Sequence, residues 1–135
     1  MISAGRLMTK NVICVKPETP VMEATRLLVK HKVSGLPVVD EEMNLLGIIS
    51  EKDMLRLLVE ENIESKTVFD FMTKKVISFK DSDSILDICD FLIRNNIRRV
   101  PIAKDGKLVG IISRHDILTE IVRLRSLMEH KPQSV

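Results

Sequence analysis

The sequence predicts an α+β protein in which two β-α-β-β-α repeats pack about a pseudo-twofold axis, each forming a small sheet with helices on one face. Two repeated motifs are the basis of this prediction. Met8-Thr9-Lys10 returns at position 72, an offset of 64, and the Gly-Ile-Ile-Ser motif at position 47 returns at position 110, an offset of 63. Repeats of this length cannot usually bury their apolar faces alone, so we expect the copies to pack on each other and to form two equivalent clefts.

Length and composition favour a single compact body. The chain has 135 residues, of which 44% are hydrophobic, and this is enough for one core. Its 21 basic and 19 acidic residues leave a formal net charge of +2, and 3% of the residues are aromatic, so nucleic-acid binding is a weak third hypothesis. No apolar stretch is long enough to cross a bilayer, and we expect a soluble, cytoplasmic protein without a membrane partner.

Local patterns justify each element of the first copy. Thr19-Pro20 predicts a helix start, in which the Thr19 hydroxyl caps a free amide and Pro20 takes the first helical position. Apolar residues then recur at helical spacing until about His31. Two apolar runs separated by a polar stretch predict a β-hairpin. The predicted elements are a strand over 12–15, a helix over 20–31, hairpin strands over 36–39 and 45–49, and a helix over 51–60.

The second copy repeats this order. Its first helix is expected to start at Asp83, and Asp105-Gly106 suits the positive backbone dihedrals of a tight hairpin turn. Ser3 and Thr67 lie at the same offset of 64, so a short helical turn is expected to open each copy. The predicted elements are a strand over 76–79, hairpin strands over 100–103 and 108–112, and a helix over 114–128.

The predicted boundaries are a first repeat over 1–61, a linker over 62–66, a second repeat over 67–128, and a C-terminal tail over 129–135, where Pro132 prevents a longer helix.

These motifs resemble those of a known family. Met-Thr opens both copies, Pro37 and Pro101 lie in the first hairpin strands, and Gly-Ile-Ile-Ser-x-x-Asp runs to Asp53 and Asp116. With these marks, residues 7 to 118 resemble a tandem cystathionine-β-synthase (CBS) domain pair, or Bateman module. The resemblance implies a regulatory module that binds an adenosine-containing ligand in the clefts between the copies, namely AMP, ADP, ATP or S-adenosylmethionine.

The chemistry of the repeated motif supports such a ligand independently. Ser50 and Ser113 stand where a strand becomes a helix, and the free amides and dipole of a helix start favour a phosphate. Asp53 and Asp116 follow one turn later, where a carboxylate can accept hydrogen bonds from ribose hydroxyls, the role that the resemblance implies. The alternative is a capping box, in which the serine and aspartate satisfy each other's amides. Both roles can coexist.

The two copies differ in charge near these helix starts. Copy two has Arg98-Arg99 where copy one has Ser34-Gly35, and its serine is followed by Arg-His in place of Glu-Lys. Charged hydrogen bonds stabilise a bound phosphate, so the sequence predicts a stronger site on Asp116 and a weaker one on the first copy's aspartate. A solvated basic patch is the alternative, and the sequence leaves open which arginine reaches which cleft.

The resemblance implies roles for further residues. The threonine of each Met-Thr motif would supply a hydroxyl, and strand residues would enclose the adenine, although these apolar positions can equally belong to the core. The stronger predicted site comprises Thr9, Ile13, Cys14, Val33, Ser34, Arg98, Arg99, Ser113, Arg114, His115 and Asp116. The weaker predicted site comprises Thr73, Ile77, Ser78, Ile97, Ser50, Lys52 and Asp53.

The predicted function is regulation without catalysis. No acid and base lie beside a nucleophile, and Cys14 and Cys89 are isolated thiols, so no enzyme activity is expected. His31 and His130 have no companions at metal-ligand spacing, so no metal is expected. No cofactor is required. An adenine nucleotide or S-adenosylmethionine is the expected regulatory ligand, and its binding would modulate an unidentified partner protein.

The alternative function is constitutive dimerisation or docking without a physiological ligand. The last predicted helix carries more apolar residues than one core stripe requires, and excess apolar surface favours an interface. A homodimer is therefore expected under either function, and stabilisation by adenosyl ligands distinguishes the two. The apolar residues concerned are Ile117, Leu118, Ile121, Val122, Leu124 and Leu127.

Overall fold

The computed structural model describes residues 2–129. Met1 and residues 130–135 lie outside this range, together with the expectations for His130, Pro132 and nearly all of the tail. The elements are helices α1 (Ala4–Leu7) and α2 (Val21–His31), strands β1 (Gly35–Val39) and β2 (Leu45–Ser50), helices α3 (Glu51–Met54) and α4 (Ile85–Asn95), strands β3 (Arg99–Lys104) and β4 (Lys107–Ser113), helix α5 (Arg114–Glu129), and 3-10 turns at Leu55–Leu58, Ile63–Ser65 and Val68–Asp70.

Two antiparallel hairpins form two small sheets, which confirms the predicted α+β fold with two repeats. At the end of the first hairpin Gly35 pairs with Ser50, and at the same place in the second Arg99 pairs with Ser113. The register therefore brings the positions at which the copies differ in charge next to the serines of the repeated motif.

The predicted strands over 12–15 and 76–79 are wrong. One residue of each segment pairs with a sheet, Val15 with Val38 and Phe79 with Ile102, both in parallel orientation. The Val15 amide donates to the Pro37 carbonyl at 3.0 Å and the Val15 carbonyl accepts from the Val39 amide at 2.9 Å, so the pairing is confined to one residue. Val12 and Ile13, and Val76 and Ile77 in the second copy, line the clefts described below instead of following a strand edge.

The predicted starts of the first helix in each copy are also wrong, for the same physical reason. Thr19 and Asp83 lie 64 residues apart, and each side chain accepts a hydrogen bond from the amide of the residue three positions earlier, Lys16 at 3.0 Å and Lys80 at 2.7 Å. An oxygen that closes the preceding turn is not free to cap the helix. Helices α2 and α4 therefore begin two residues after these side chains.

Helix α3 is shorter than the predicted helix over 51–60. It ends at Met54, and the chain continues in a 3-10 turn. Leu55, Leu58 and Val59 are exposed, so no apolar stripe holds a longer helix against the core. Its counterpart α5 runs for 16 residues to Glu129, one residue beyond the predicted end.

The copies exchange their opening segments. The Ala4 amide donates to the Asp83 carbonyl at 2.7 Å, and Ala4 is buried in the core of the second copy. In the other direction, the Val68 amide donates to the Thr19 carbonyl at 2.9 Å, and Val68 and Phe71 are buried in the core of the first copy. Each core is therefore completed by residues of the other repeat.

This exchange explains why the two repeated motifs contain methionine and glycine. A β-carbon on Gly47 would lie 2.5 Å from the Thr73 carbonyl oxygen and from the end of the Met72 side chain. A β-carbon on Gly110 would collide with the Met8 sulfur. The Met-Thr segment of one copy thus lies directly on the Gly-Ile-Ile-Ser strand of the other, in space that glycine leaves open.

Within residues 2–129, no helix is long and apolar enough to span a membrane.

Candidate functional site

Two clefts lie where a threonine segment of one copy pairs with a strand of the other. Thr9 exchanges backbone hydrogen bonds with Ile111, at 2.9 and 3.0 Å, and Thr73 exchanges them with Ile48, at 2.8 and 3.0 Å. Each threonine therefore lies beside the strand that leads to the other copy's Ser-x-x-Asp segment. Both copies contribute to both clefts.

The smaller cleft has a volume of about 260 Å³ and contains Asp116. Asn11 and Pro37 are among its other lining residues. Cys14, Ser34, Arg98, Arg114 and His115, also predicted for this site, are not among them. The predicted residues that the structure brings together here are Thr9, Ile13, Val33, Arg99, Ser113 and Asp116.

The larger cleft has a volume of about 710 Å³ and contains Thr73, the counterpart of Thr9. Ser78 and Asp53 were predicted for it and are not among its lining residues, although Asp53 is hydrogen-bonded to Ser50 at its border. Arg98 lines this cleft, as does Ser34. The predicted residues that the structure brings together here are Thr73, Ile77, Ile97, Ser50 and Lys52.

Both Ser-x-x-Asp segments form reciprocal capping boxes. Asp53 Oδ2 accepts from the Ser50 amide at 2.9 Å, while the Asp53 amide donates to Ser50 Oγ at 3.4 Å. Asp116 Oδ2 accepts from the Ser113 amide at 2.8 Å, and its own amide donates to Ser113 Oγ at 3.1 Å. The boxes use Oδ2, so the second carboxylate oxygen can still accept a hydroxyl donor from a ligand.

Arg99 lies between the two clefts and lines both of them, as well as a cavity of about 370 Å³ near the end of α2. Burial lowers the pKa of its guanidinium from the ordinary value, while the carboxylates of Asp116 and Glu51 act in the opposite direction. Its Nε is buried and has no hydrogen-bond partner among the described residues. A buried cationic donor without a partner can bind an anionic acceptor that enters either cleft.

Arg114 lines neither of the two clefts. Its Nε donates to the Ile97 carbonyl at 2.9 Å and its Nη2 to Asn96 Oδ1 at 3.0 Å, so it holds the loop after α4. His115 is exposed on α5. Cys14 is half-buried, and burial raises the pKa of its thiol, which keeps it protonated at neutral pH.

Sequence reasoning missed Lys75, which lines the larger cleft. Its counterpart in the smaller cleft is Asn11, at the offset of 64 that relates the Met-Thr motifs. A comparison of the two copies position by position, as was made for Arg98-Arg99, would have found this charge difference.

Within residues 2–129, no three His, Cys, Asp or Glu side chains lie close enough together to hold a metal ion.

The CBS domain model matches this chain twice, over residues 4–60 and 68–123. The chain belongs to the CBS domain family. The two matches make it a CBS pair, and the exchanged segments and both clefts lie within the matched residues.

Solved CBS pairs share this architecture over almost the whole chain. The crystal structure of CBSX2 in complex with AMP is 34% identical, has a TM-score of 0.85, and is matched over 93% of this chain and 99% of that one. CBSX2 is a protein of Arabidopsis thaliana. The CBS domain pair of protein MJ0100, in complex with 5-methylthioadenosine and S-adenosyl-L-methionine, is 28% identical with a TM-score of 0.79, over 92% of this chain and 98% of that one.

Curated relatives are longer than this chain. Protein MJ1225 of Methanocaldococcus jannaschii is 32% identical over 83% of this chain and 40% of its own length. The inosine-5'-monophosphate dehydrogenase of Aquifex aeolicus is 41% identical over 82% of this chain and 23% of its own length. This CBS pair thus spans less than half of either relative.

Proposed function

We propose that this CBS pair is a regulatory module that binds an adenosine-containing ligand, AMP, ADP or ATP, in the clefts between its repeats and thereby modulates a partner protein. S-adenosylmethionine is the second ligand class. The carboxylates of Asp116 and Asp53 would accept hydrogen bonds from the ribose, the threonines Thr9 and Thr73 would donate to the ligand, and Arg99 would bind phosphate.

The observation that carries the proposal is the composition of the cleft at Asp116. Thr9 from one copy, and Asp116 with Arg99 from the other, line one cavity with apolar walls. An acceptor, a hydroxyl donor and a cation around an apolar slot suit the ribose, the phosphate and the base of a nucleotide. The AMP complex of CBSX2, at 34% identity, supports the same ligand class.

Thermal unfolding with AMP, ATP and S-adenosylmethionine tests the proposal. A ligand at one hundred times its dissociation constant should stabilise the folded protein by about 2.7 kcal/mol. The chain has no Trp or Tyr, so circular dichroism or calorimetry is the suitable measurement. The absence of a shift with all three ligands would refute adenosyl binding.

Asp116→Asn separates ligand binding from helix capping. Loss of the charged acceptor should weaken AMP binding by about tenfold or more. Asp70→Asn is the matched control, because Asp70 also forms a capping box, with Thr67, and lines neither cleft. Equal weakening of binding by both substitutions would show that the cleft carboxylate has no ligand role.

A dimer is the second part of the proposal, and the face of α5 supports it. Leu118, Ile121 and Val122 are exposed, with 58%, 49% and 64% of their surface accessible, and Leu127 is exposed near the helix end. Exposed apolar residues concentrated on one element mark an association surface. We propose that this face joins two copies, which is also what a docking module without a ligand would need.

Sedimentation of a charged variant tests the dimer. Leu118→Glu should convert the dimer to a monomer at micromolar concentration, because a buried unpaired carboxylate is strongly unfavourable. Thr119→Glu adds the same charge at a polar, exposed position of the same helix and should leave the dimer intact. A monomeric wild-type protein, with or without ligand, would contradict this part.

We further propose a cytoplasmic location. Cys14 and Cys89 are both free thiols, and unpaired cysteines are typical of reducing compartments.

A further inference from the structure

The two clefts are pseudo-equivalent in origin and unequal in size. Their volumes are about 710 Å³ and 260 Å³. Pockets that enclose small ligands usually occupy about 300–1,000 Å³. The larger cleft falls within this range, and it has room beyond what a nucleoside occupies, whereas the smaller one lies just below it.

Charge is distributed just as unequally. Four cationic side chains line the larger cleft, Lys52, Lys75, Arg98 and Arg99. Two carboxylates oppose them, that of Glu51 in the lining and that of Asp53 at the border, where it is hydrogen-bonded to Ser50. In the smaller cleft the described lining residues carry one charge of each sign, Arg99 and Asp116. The larger cleft therefore has a net positive lining and the smaller one a balanced lining.

The difference arises at matched positions. Lys75 occupies in the larger cleft the place that Asn11 occupies in the smaller one. Arg98 follows the end of α4, and the 3.0 Å bond from Arg114 to Asn96 holds the same loop, so this cation is attached to a fixed backbone. Lys75 and Arg98 are exposed, which leaves them free to move onto a ligand.

We propose that the larger cleft selects an adenosine polyphosphate, of the ADP or ATP class, over AMP, with Lys75 and Arg98 as the specificity-determining residues. The smaller cleft does not distinguish ligands by the number of phosphates. This proposal rests on the proposed adenosyl function and assigns a ligand class to each cleft. For polyphosphates it reverses the sequence-based ranking, which expected the stronger site at Asp116.

The physical reason is the number of charged acceptors. AMP presents one phosphate, which Arg99 can bind from either cleft. Each further phosphate adds negative charge and oxygen acceptors, and these are stabilised only where further cations are within reach. Since Lys75 and Arg98 are exposed, their contribution is screened, so the preference for polyphosphate should decrease as salt concentration rises.

The absence of Trp from the chain allows each cleft to be observed separately. Ile77→Trp places a single fluorophore in the larger cleft, and Ile13→Trp places one at the equivalent position of the smaller cleft. Each variant is titrated with AMP and with ATP in chelator, and the ratio of the two half-saturation concentrations is compared. AMP serves as the internal reference for any effect of the indole itself.

The expected ratios differ between the two reporters. In Ile77→Trp, ATP should bind about tenfold or more tightly than AMP, and in Ile13→Trp the two should agree within about threefold. Adding Lys75→Asn or Arg98→Ser to Ile77→Trp should reduce the ATP preference by about threefold to tenfold. Adding Asn11→Lys to Ile13→Trp should create a preference for ATP. Lys104→Asn, at the far end of β3, removes the same charge and should change neither ratio.

The outcomes separate this proposal from the proposed function. Equal ATP-to-AMP ratios in the two reporters, or a ratio that Lys75→Asn and Arg98→Ser leave unchanged, would overturn the assignment of ligand classes while adenosyl binding stands. Failure of both nucleotides to change fluorescence in either reporter, and to raise the unfolding temperature of the wild-type protein, would overturn both proposals.

Discussion

Each repeat completes the core of the other, but the two opening segments are buried to different extents. Phe71, from the second opening segment, is 4% exposed in the core of the first copy, whereas its counterpart Leu7 is only partly buried against the second core. The contacts between each opening segment and the glycine-containing strand of the other copy also differ. Gly47 faces the backbone carbonyl of Thr73, whereas Gly110 faces the flexible side chain of Met8. Two copies of one repeat can therefore differ in how tightly each holds the opening segment of the other.

The largest expected effect comes from truncating the exchanged side chains. Phe71→Ala should reduce the free energy of unfolding by about 4 kcal/mol and Leu7→Ala by about 2 kcal/mol, because the first leaves the larger cavity. Urea unfolding measures both. Hydrogen exchange should accelerate first in α2 for Phe71→Ala and first in α4 for Leu7→Ala, since each side chain supports the other copy.

Phe69→Ala is the control for Phe71→Ala. Phe69 is 51% exposed and contacts Lys74 through its ring, so its loss should cost about 1 kcal/mol or less. If Leu7→Ala proved as destabilising as Phe71→Ala, the two opening segments would contribute equally to the cores that they complete.

The second effect concerns the glycines under the exchanged segments. Gly47→Ala should cost about 3 kcal/mol, because its β-carbon meets backbone that cannot move aside, and Gly110→Ala about 1 kcal/mol, because the Met8 side chain can change rotamer. Thermal and urea unfolding of the two variants measure the difference. A larger loss for Gly110→Ala would show that Met8 is fixed in place.

The hairpin turns supply a third and smaller comparison. The second turn depends on Gly106, whose φ is +80° with nothing within 4 Å of an added β-carbon. Gly106→Ala should therefore cost about 1 kcal/mol from backbone strain alone. Gly106→Asn should cost less, because asparagine tolerates the left-handed region. Equal costs for the two variants would exclude backbone strain as the cause.

The smallest effect is a pH dependence confined to the first turn. Hydrogen bonds from Asn44 hold the pKa of Asp40 below its ordinary value of 3.8. A lowered folded-state pKa contributes stability that is present above 3.8 and is lost as pH falls through the folded-state value. The urea concentration at the unfolding midpoint should fall less between about pH 6 and pH 2.5 in Asp40→Asn than in the wild-type protein. The same fall in both proteins would show that the turn has no part in acid unfolding.

Much of the fold could be predicted because its signals are local. The hairpins follow apolar runs divided by turn residues, and Asp105-Gly106 takes the positive φ values that the dipeptide suggests. The errors at the helix starts arose because one side chain could bond either of two nearby backbone groups. Thr19 and Asp83 cap the preceding turn in place of the helix, and no local pattern distinguishes these two bonds.

The candidate site was predictable by residue type more than by position. The repeated motif places Ser113 and Asp116 in one cleft and Ser50 at the other. Which cleft or loop each cationic side chain would contact was not predictable. Arg98 lines the larger cleft and Arg114 bonds the loop after α4, because these choices depend on how the two copies dock.

By itself, the sequence determined the two repeats, their hairpins, and the serine and aspartate that begin α3 and α5, since these follow from periodicity and from bonds within a few residues. Only the tertiary structure decided that the opening segments exchange, that the two clefts differ in volume, and that four cations gather in one of them. The physical reason is that cleft shape and charge depend on contacts between residues about 25 to 100 positions apart, which the packing of one copy on the other creates.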